Sequence, residues 1–98
     1  MKKFEWDEEK NIKNKLHHNV SFEEAITIFE DINVVTIYDE KHSEDEERFI
    51  AIGFDFKARN LTVCHCYRGK DKDIIRIISA RKATRHEIEV YKEENGII

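Results

Sequence analysis

The sequence contains no proline and only three glycines in 98 residues. So few glycines cannot build a loop that cradles nucleotide phosphates, which excludes the usual nucleotide-binding signatures. Cysteine is nearly absent too: Cys64 and Cys66 are one residue apart. A bridge between them would close a very small, strained ring, so they read as free thiols of a reducing, cytoplasmic compartment. No apolar run approaches the roughly 20 residues that span a bilayer. The opening Phe4-Glu5-Trp6-Asp7-Glu8 is acidic, unlike the apolar core of a signal peptide. Neither a Ser-His-Asp arrangement nor an HExxH motif occurs, and no linker or repeat divides the chain. Residues 1–98 therefore read as one domain near the size at which a single core becomes sufficient.

Charge is what the sequence has in excess. Charged residues make up 39% of it, well above the ~25% of an average protein. The net charge of −4 conceals an asymmetry: residues 1–47 hold 6 Lys/Arg against 14 Asp/Glu, and residues 48–98 hold 11 against 7. The overall balance disfavours non-specific nucleic-acid binding, while the second half leaves room for a local basic face.

The element pattern is legible in order. Phe4-Glu5-Trp6 alternates, as a short edge strand or an apolar clasp would. Asp7 is a good N-cap for a helix over residues 8–17, with Ile12 and Leu16 as its apolar stripe and Asn19 as a left-handed C-cap. Ser21 and Glu24 form a capping box for a second helix, with Phe22, Ala25, Ile26 and Phe29 at helical spacing. This helix pair does not suit DNA reading, because the second carries Glu23, Glu24, Glu30 and Asp31 and no cation. Strands follow over residues 34–38, 48–54, 61–68 and 74–80, joined by polar turns. Thr84 and Glu87 form another capping box and open a helix over residues 84–94. The expectation is α+β: two N-terminal helices, a four-stranded antiparallel sheet and a C-terminal helix.

Three groups of residues could carry chemistry. Cys64-His65-Cys66 resembles a metal-binding fragment, but the thiols share a strand face while His65 points away. Two ligands cannot close a tetrahedral site, so core packing is the better account of the thiols. His17 and His18 could act as a base near neutral pH, or simply complement the dipole at a helix C-terminus. Arg48, Arg68, Arg76 and Arg81 each stand in or beside a strand, where an antiparallel sheet could assemble them. With Tyr67 beside Arg68, such a cluster suits an RNA backbone and a stacked base. It equally suits ion pairing with carboxylates such as Glu46 and Glu47.

These pieces together resemble one family, the BrnT-type toxins of bacterial type II toxin–antitoxin systems. The resemblance is carried by Phe4-x-Trp6-Asp7-x-x-Lys10-Asn11-x-x-Asn14, His18-x-Val20-Ser21-Phe22-x-Glu24-Ala25, Glu47-Arg48-Phe49 with Ile52-Gly53, Leu61-x-Val63 and Tyr67-Arg68. It closes with Arg76-Ile77-Ile78-Ser79-Ala80-Arg81-x-Ala83-Thr84-x-x-Glu87-x-x-x-Tyr91. His17 stands where the family usually has lysine, and Asn19 where it usually has glycine. The resemblance implies a RelE-like fold, metal-independent RNA cleavage that inhibits translation, and no cofactor. It also implies a BrnA-like antitoxin that neutralises the toxin and alone contacts operator DNA. Cleavage of this kind uses the RNA 2′-hydroxyl as nucleophile and needs charge stabilisation and proton transfer. On the resemblance, Arg68 and Arg81 are the expected charge stabilisers, His18 the acid or base and Glu47 the reserve base. Arg76, Tyr67, Arg48 and Lys10 are the expected RNA contacts. Two other readings fit the same residues: an antitoxin-binding co-repressor with little activity, and an RNA-binding protein that does not cleave.

Overall fold

The longest strands are β4 (Asn60–Arg68) and β5 (Ile74–Lys82), and the rest of the chain is built around their pairing. The computed structural model describes residues 2–97. In order, these form β1 (Lys3–Glu5), α1 (Glu8–His18), α2 (Phe22–Ala25) running into a 3₁₀ turn (Ile26–Glu30), β2 (Val35–Tyr38), a 3₁₀ turn (Glu40–His42), β3 (Phe49–Phe54), β4, β5 and α3 (Arg85–Glu94). The sheet order is β1-β5-β4-β3-β2. Among the described residues no helix is long and apolar enough to cross a membrane.

The α+β class is as expected, but the sheet has five strands and is mixed. Phe4 and its neighbours take the strand option: Lys3, Phe4 and Glu5 pair in parallel with Ile74, Ile75 and Arg76. Short-range turn signals cannot disclose such a pairing, since its partners lie some seventy residues apart.

The first two helices cover one face of the sheet. Val20, Phe22, Ala25 and Ile28 pack on Ala51, Leu61, Val63, Ile75, Ile77 and Ala80, and all of these are buried. Each large side chain so buried contributes about 1.5–3 kcal/mol. Phe22, Ala25 and Ile28 are three residues apart, the period of a 3₁₀ helix. The tightening after Ala25 explains why Ile28 is fully buried, while Phe29, expected at α-helical spacing, is only partly so. Gly53 permits this approach, because a Cβ there would lie 3.3 Å from the Ile28 Cβ and 3.2 Å from Val34 Cγ2.

Helix α1 reverses the expected polarity. Ile12 and Leu16 are exposed, at 56% and 80%, while Asn11 and Asn14 are buried. The reason lies at the outer edge of β5. β1 pairs only as far as Arg76, leaving the backbone near Ala80 without a strand beside it. The Asn14 amide takes that place. Its Nδ2 donates to the Ala80 carbonyl at 2.7 Å, and its Oδ1 accepts from the Ala80 N–H at 3.1 Å. Nδ2 also donates to the Val20 carbonyl at 2.8 Å. Asn11 Oδ1 accepts from the Phe22 N–H at 2.7 Å and so fixes the start of α2. The helix docks through amide hydrogen bonds rather than an apolar stripe, and Asn19 ends it in the expected left-handed conformation (φ 58°).

Asn14→Ala should lower stability by about 2–4 kcal/mol in urea unfolding, because it strands buried backbone groups. Asn14→Asp should cost more, since it sets a carboxylate against two carbonyl oxygens. Leu16→Ala should stay within about 0.5 kcal/mol of the parent protein.

Candidate active site

The other face of the sheet is only half covered. Helix α3 packs over one end, where Tyr91 meets the Phe54 ring at 5.6 Å and its hydroxyl donates to Asp31 Oδ2 at 2.8 Å. Beyond that end, strand alternation and register assemble an open surface. Thr62 lies opposite Arg81, Cys64 opposite Ile50 and Ser79, and Cys66 opposite Arg76. Arg48, just before β3, and Arg68, at the end of β4, continue the same alternation. The four arginines singled out in the sequence thus share one sheet face, although their positions span three strands. A groove of about 240 Å³ on this face is lined by Asp39, His42, Arg48, Cys64, Ser79 and Arg81, among others.

The arginines differ in how they are held. Arg81 forms a two-point contact with Glu87, Nη1 to Oε1 at 2.7 Å and Nη2 to Oε2 at 2.9 Å. Glu87 Oε1 also accepts from the Thr84 N–H at 2.8 Å and from Thr62 Oγ1 at 3.0 Å. The residue that caps α3 therefore also orients the groove arginine. Burial works to raise the Glu87 pKa. The hydrogen bond from Arg81, then those from Thr84 and Thr62, outweigh burial and hold it at about 2. Arg68 pairs with Glu46, and Arg76 with Glu5 at 2.9 Å. Arg48 has no carboxylate within 4.0 Å among the described residues.

The loop between β2 and β3 closes on itself beside Arg48. The Asp39 N–H donates to the Arg48 carbonyl at 2.9 Å. Ser43 Oγ donates to the Asp39 carbonyl at 2.5 Å and accepts from the Arg48 N–H at 3.0 Å. Within this stitched loop, His42 Nδ1 meets Asp39 Oδ2 at 2.8 Å, and the imidazole is 64% exposed. Sequence reasoning passed over His42. The available signal was an Asp-x-x-His spacing, which one tight turn brings into contact.

The remaining sequence candidates lie elsewhere. His18 and Lys10 are exposed on α1, in the helical layer on the opposite side of the sheet. The position of His17 and His18 in the last turn of α1 suits the dipole-complement reading. Tyr67 points away from Arg68, into an aromatic cluster with Phe49 (5.1 Å) and His65 (5.3 Å), and Lys2 Nζ lies 5.2 Å from its ring centroid. At the end of the sheet Tyr67 and Arg68 do meet Glu47, Phe49 and Lys72 around a separate cleft of about 230 Å³. His65 is fully buried on the helix side, where burial pushes its pKa down. Cys66 is buried, and Cys64 reaches the groove wall with burial pushing its thiol up. Among the described residues no three His, Cys, Asp or Glu side chains gather as metal ligands.

Comparison with known proteins places the chain in a class. A family model described as "Ribonuclease toxin, BrnT, of type II toxin-antitoxin system" matches residues 6–87, a span that ends on the carboxylate holding Arg81. The chain belongs to this BrnT family of ribonuclease toxins. Its fold matches the crystal structure of the ribonuclease toxin BrnT of Brucella abortus at a TM-score of 0.66. The two are 22% identical, and the match covers 87% of this chain and 100% of that one. No curated protein sequence matches the chain.

The Glu87 network carries its own pH signature. The folded pKa is depressed from 4.5 to about 2, so the stabilisation is fully present above 4.5 and is lost as pH falls toward 2. Glu87→Gln should cost on the order of 1–2 kcal/mol near neutral pH, after allowance for the partly exposed Arg81. That difference from the parent protein should narrow steadily below pH 4.5 in urea unfolding.

Proposed function

We propose that the open sheet face binds single-stranded RNA and cleaves it without a metal, through attack of the RNA 2′-hydroxyl on the adjacent phosphate. The observation that carries this reading is the convergence of Arg48 and Arg81 on one groove, with Arg68 and Arg76 farther along the same face. Guanidinium groups bind phosphate bidentately and keep their charge, so they suit both the ground-state phosphate and the more highly charged phosphorane. Arg81 is pre-oriented by Glu87 and Arg48 has no carboxylate within 4.0 Å among the described residues, so these two are assigned to the scissile phosphate. Arg68 and Arg76, each paired with a carboxylate, are assigned to neighbouring phosphates. Tyr67 and Glu47 border the separate cleft at the strand ends and could meet RNA only as it leaves the groove. His18 and Lys10, on the helical side, are assigned no part in cleavage.

Family membership brings the biological setting into the proposal. In it, RNA cleavage in the cytoplasm inhibits translation, and a cognate BrnA-like antitoxin neutralises the toxin and supplies the operator-binding function. The acidic first half of the chain, including the carboxylates of the β2–β3 loop, offers a basic partner a complementary surface.

Inducible expression, with and without the neighbouring open reading frame, tests the setting: growth arrest with RNA decay, relieved by the neighbour, is expected. Cleavage that persists in chelator, leaving cyclic or 3′-phosphate and 5′-hydroxyl ends, tests the chemistry. Arg81→Ala and Arg48→Ala should each lower the cleavage rate by ~10²–10³. Undiminished growth arrest by folded Arg81→Ala protein would remove that residue from the site.

A further inference from the structure

We infer that His42 is the general base of the cleavage reaction and that Asp39 is its positioning residue. This rests on the ribonuclease reading above. The inference starts from a gap in the site. The arginines supply charge, but they remain protonated and cannot accept the 2′-hydroxyl proton. Of the other titratable side chains on the groove wall that could accept it, Asp39 Oδ2 is engaged by His42 Nδ1, and burial pushes the Cys64 thiol up, away from the thiolate. His42 is the imidazole that lines the same groove as Arg48 and Arg81.

Its geometry meets the demands on a base. An ionised carboxylate only accepts hydrogen bonds, so in the neutral imidazole the 2.8 Å contact with Asp39 Oδ2 favours the tautomer with its proton on Nδ1. Nε2 then carries its lone pair, and the ring is exposed enough to reach a bound ribose. The loop is not free to swing, because Ser43 and the backbone of Asp39 tie it to Arg48. Base and phosphate-binding arginine are thereby held in register by the same three hydrogen bonds. The charged groups around His42 are Asp39 and Lys41 of its own turn, Glu44, Asp45, Glu46 and Arg48 of the same loop, and Arg81 across the groove.

The step balances with RNA and water alone. His42 Nε2 takes the 2′-hydroxyl proton as the 2′-oxygen bonds to phosphorus. The bond from phosphorus to the 5′-oxygen breaks, that oxygen takes a proton from solvent, and His42 returns its proton to solvent. The products are a 2′,3′-cyclic phosphate and a 5′-hydroxyl end.

The test uses purified full-length protein and a reporter mRNA in a cell-free translation reaction, with cut sites mapped by primer extension. The mapping reads cleavage of free and ribosome-bound message alike. His42→Ala should fold normally by circular dichroism and lose ~10²–10³ of the cleavage rate, and added imidazole should restore part of it. Asp39→Asn should give a smaller loss and shift the pH–rate profile, since the tautomer is no longer fixed. If wild-type protein cleaves and folded His42→Ala cleaves within about threefold of it, the assignment is overturned and the ribonuclease reading stands. Loss without imidazole rescue, and with an unshifted profile for Asp39→Asn, makes the loop a scaffold and also overturns it. Absence of any cleavage by wild-type protein overturns both readings together.

Discussion

A single side-chain amide stands where the sheet runs out of strands. β5 is flanked by β4 along its length, but by β1 only at its first residues. A bare edge beside Ala80 would leave backbone polar groups buried and unpaired, a costly and aggregation-prone arrangement. Asn14 presents the donor and acceptor of a peptide group to that edge, so α1 behaves there like one more rung of sheet. Everything nearby inherits this placement. The Val20 carbonyl is met by the same amide, α2 starts against Asn11, and Val20 and Phe22 are delivered to the core.

On the opposite face, carboxylates position arginines. Glu5 comes from β1, Glu46 from the β2–β3 loop and Glu87 from α3, and each meets an arginine of the sheet. The arrangement reconciles an acidic chain with a basic face. Charges that would repel one another along β4 and β5 are separated by partners from three other elements. Glu87 differs from the other two because it is also bonded to the helix cap and to Thr62. Its position is over-determined, and the orientation of Arg81 follows from it.

What was legible in the sequence was what is local. Both capping boxes formed as read, at Ser21 with Glu24 and at Thr84 with Glu87, because a cap depends on residues three apart. Four of the strands and the shared face of the arginines followed from alternation and short turns. The failures are non-local or polar. Ile12 and Leu16 matched the apolar periodicity of a buried stripe, yet the helix docks by amides whose partners on the Ala80 backbone lie 66 residues away. The parallel partner of Phe4, Ile75, was farther still. His18, within a recognisable block, lies on the helical side of the sheet, whereas His42 lines the groove from a loop that reads as merely acidic. Only the closing of that loop on Arg48 gives it a place.

The parallel pairing of β1 with β5 has a consequence for synthesis. The first strand waits for β5, whose residues follow it by most of the described sequence, and the arginine face needs β3, β4 and β5 together. Contacts of such long sequence separation form late, because loop closure precedes any reward. Throughout the synthesis of everything before β5, the nascent chain therefore has no complete arginine face.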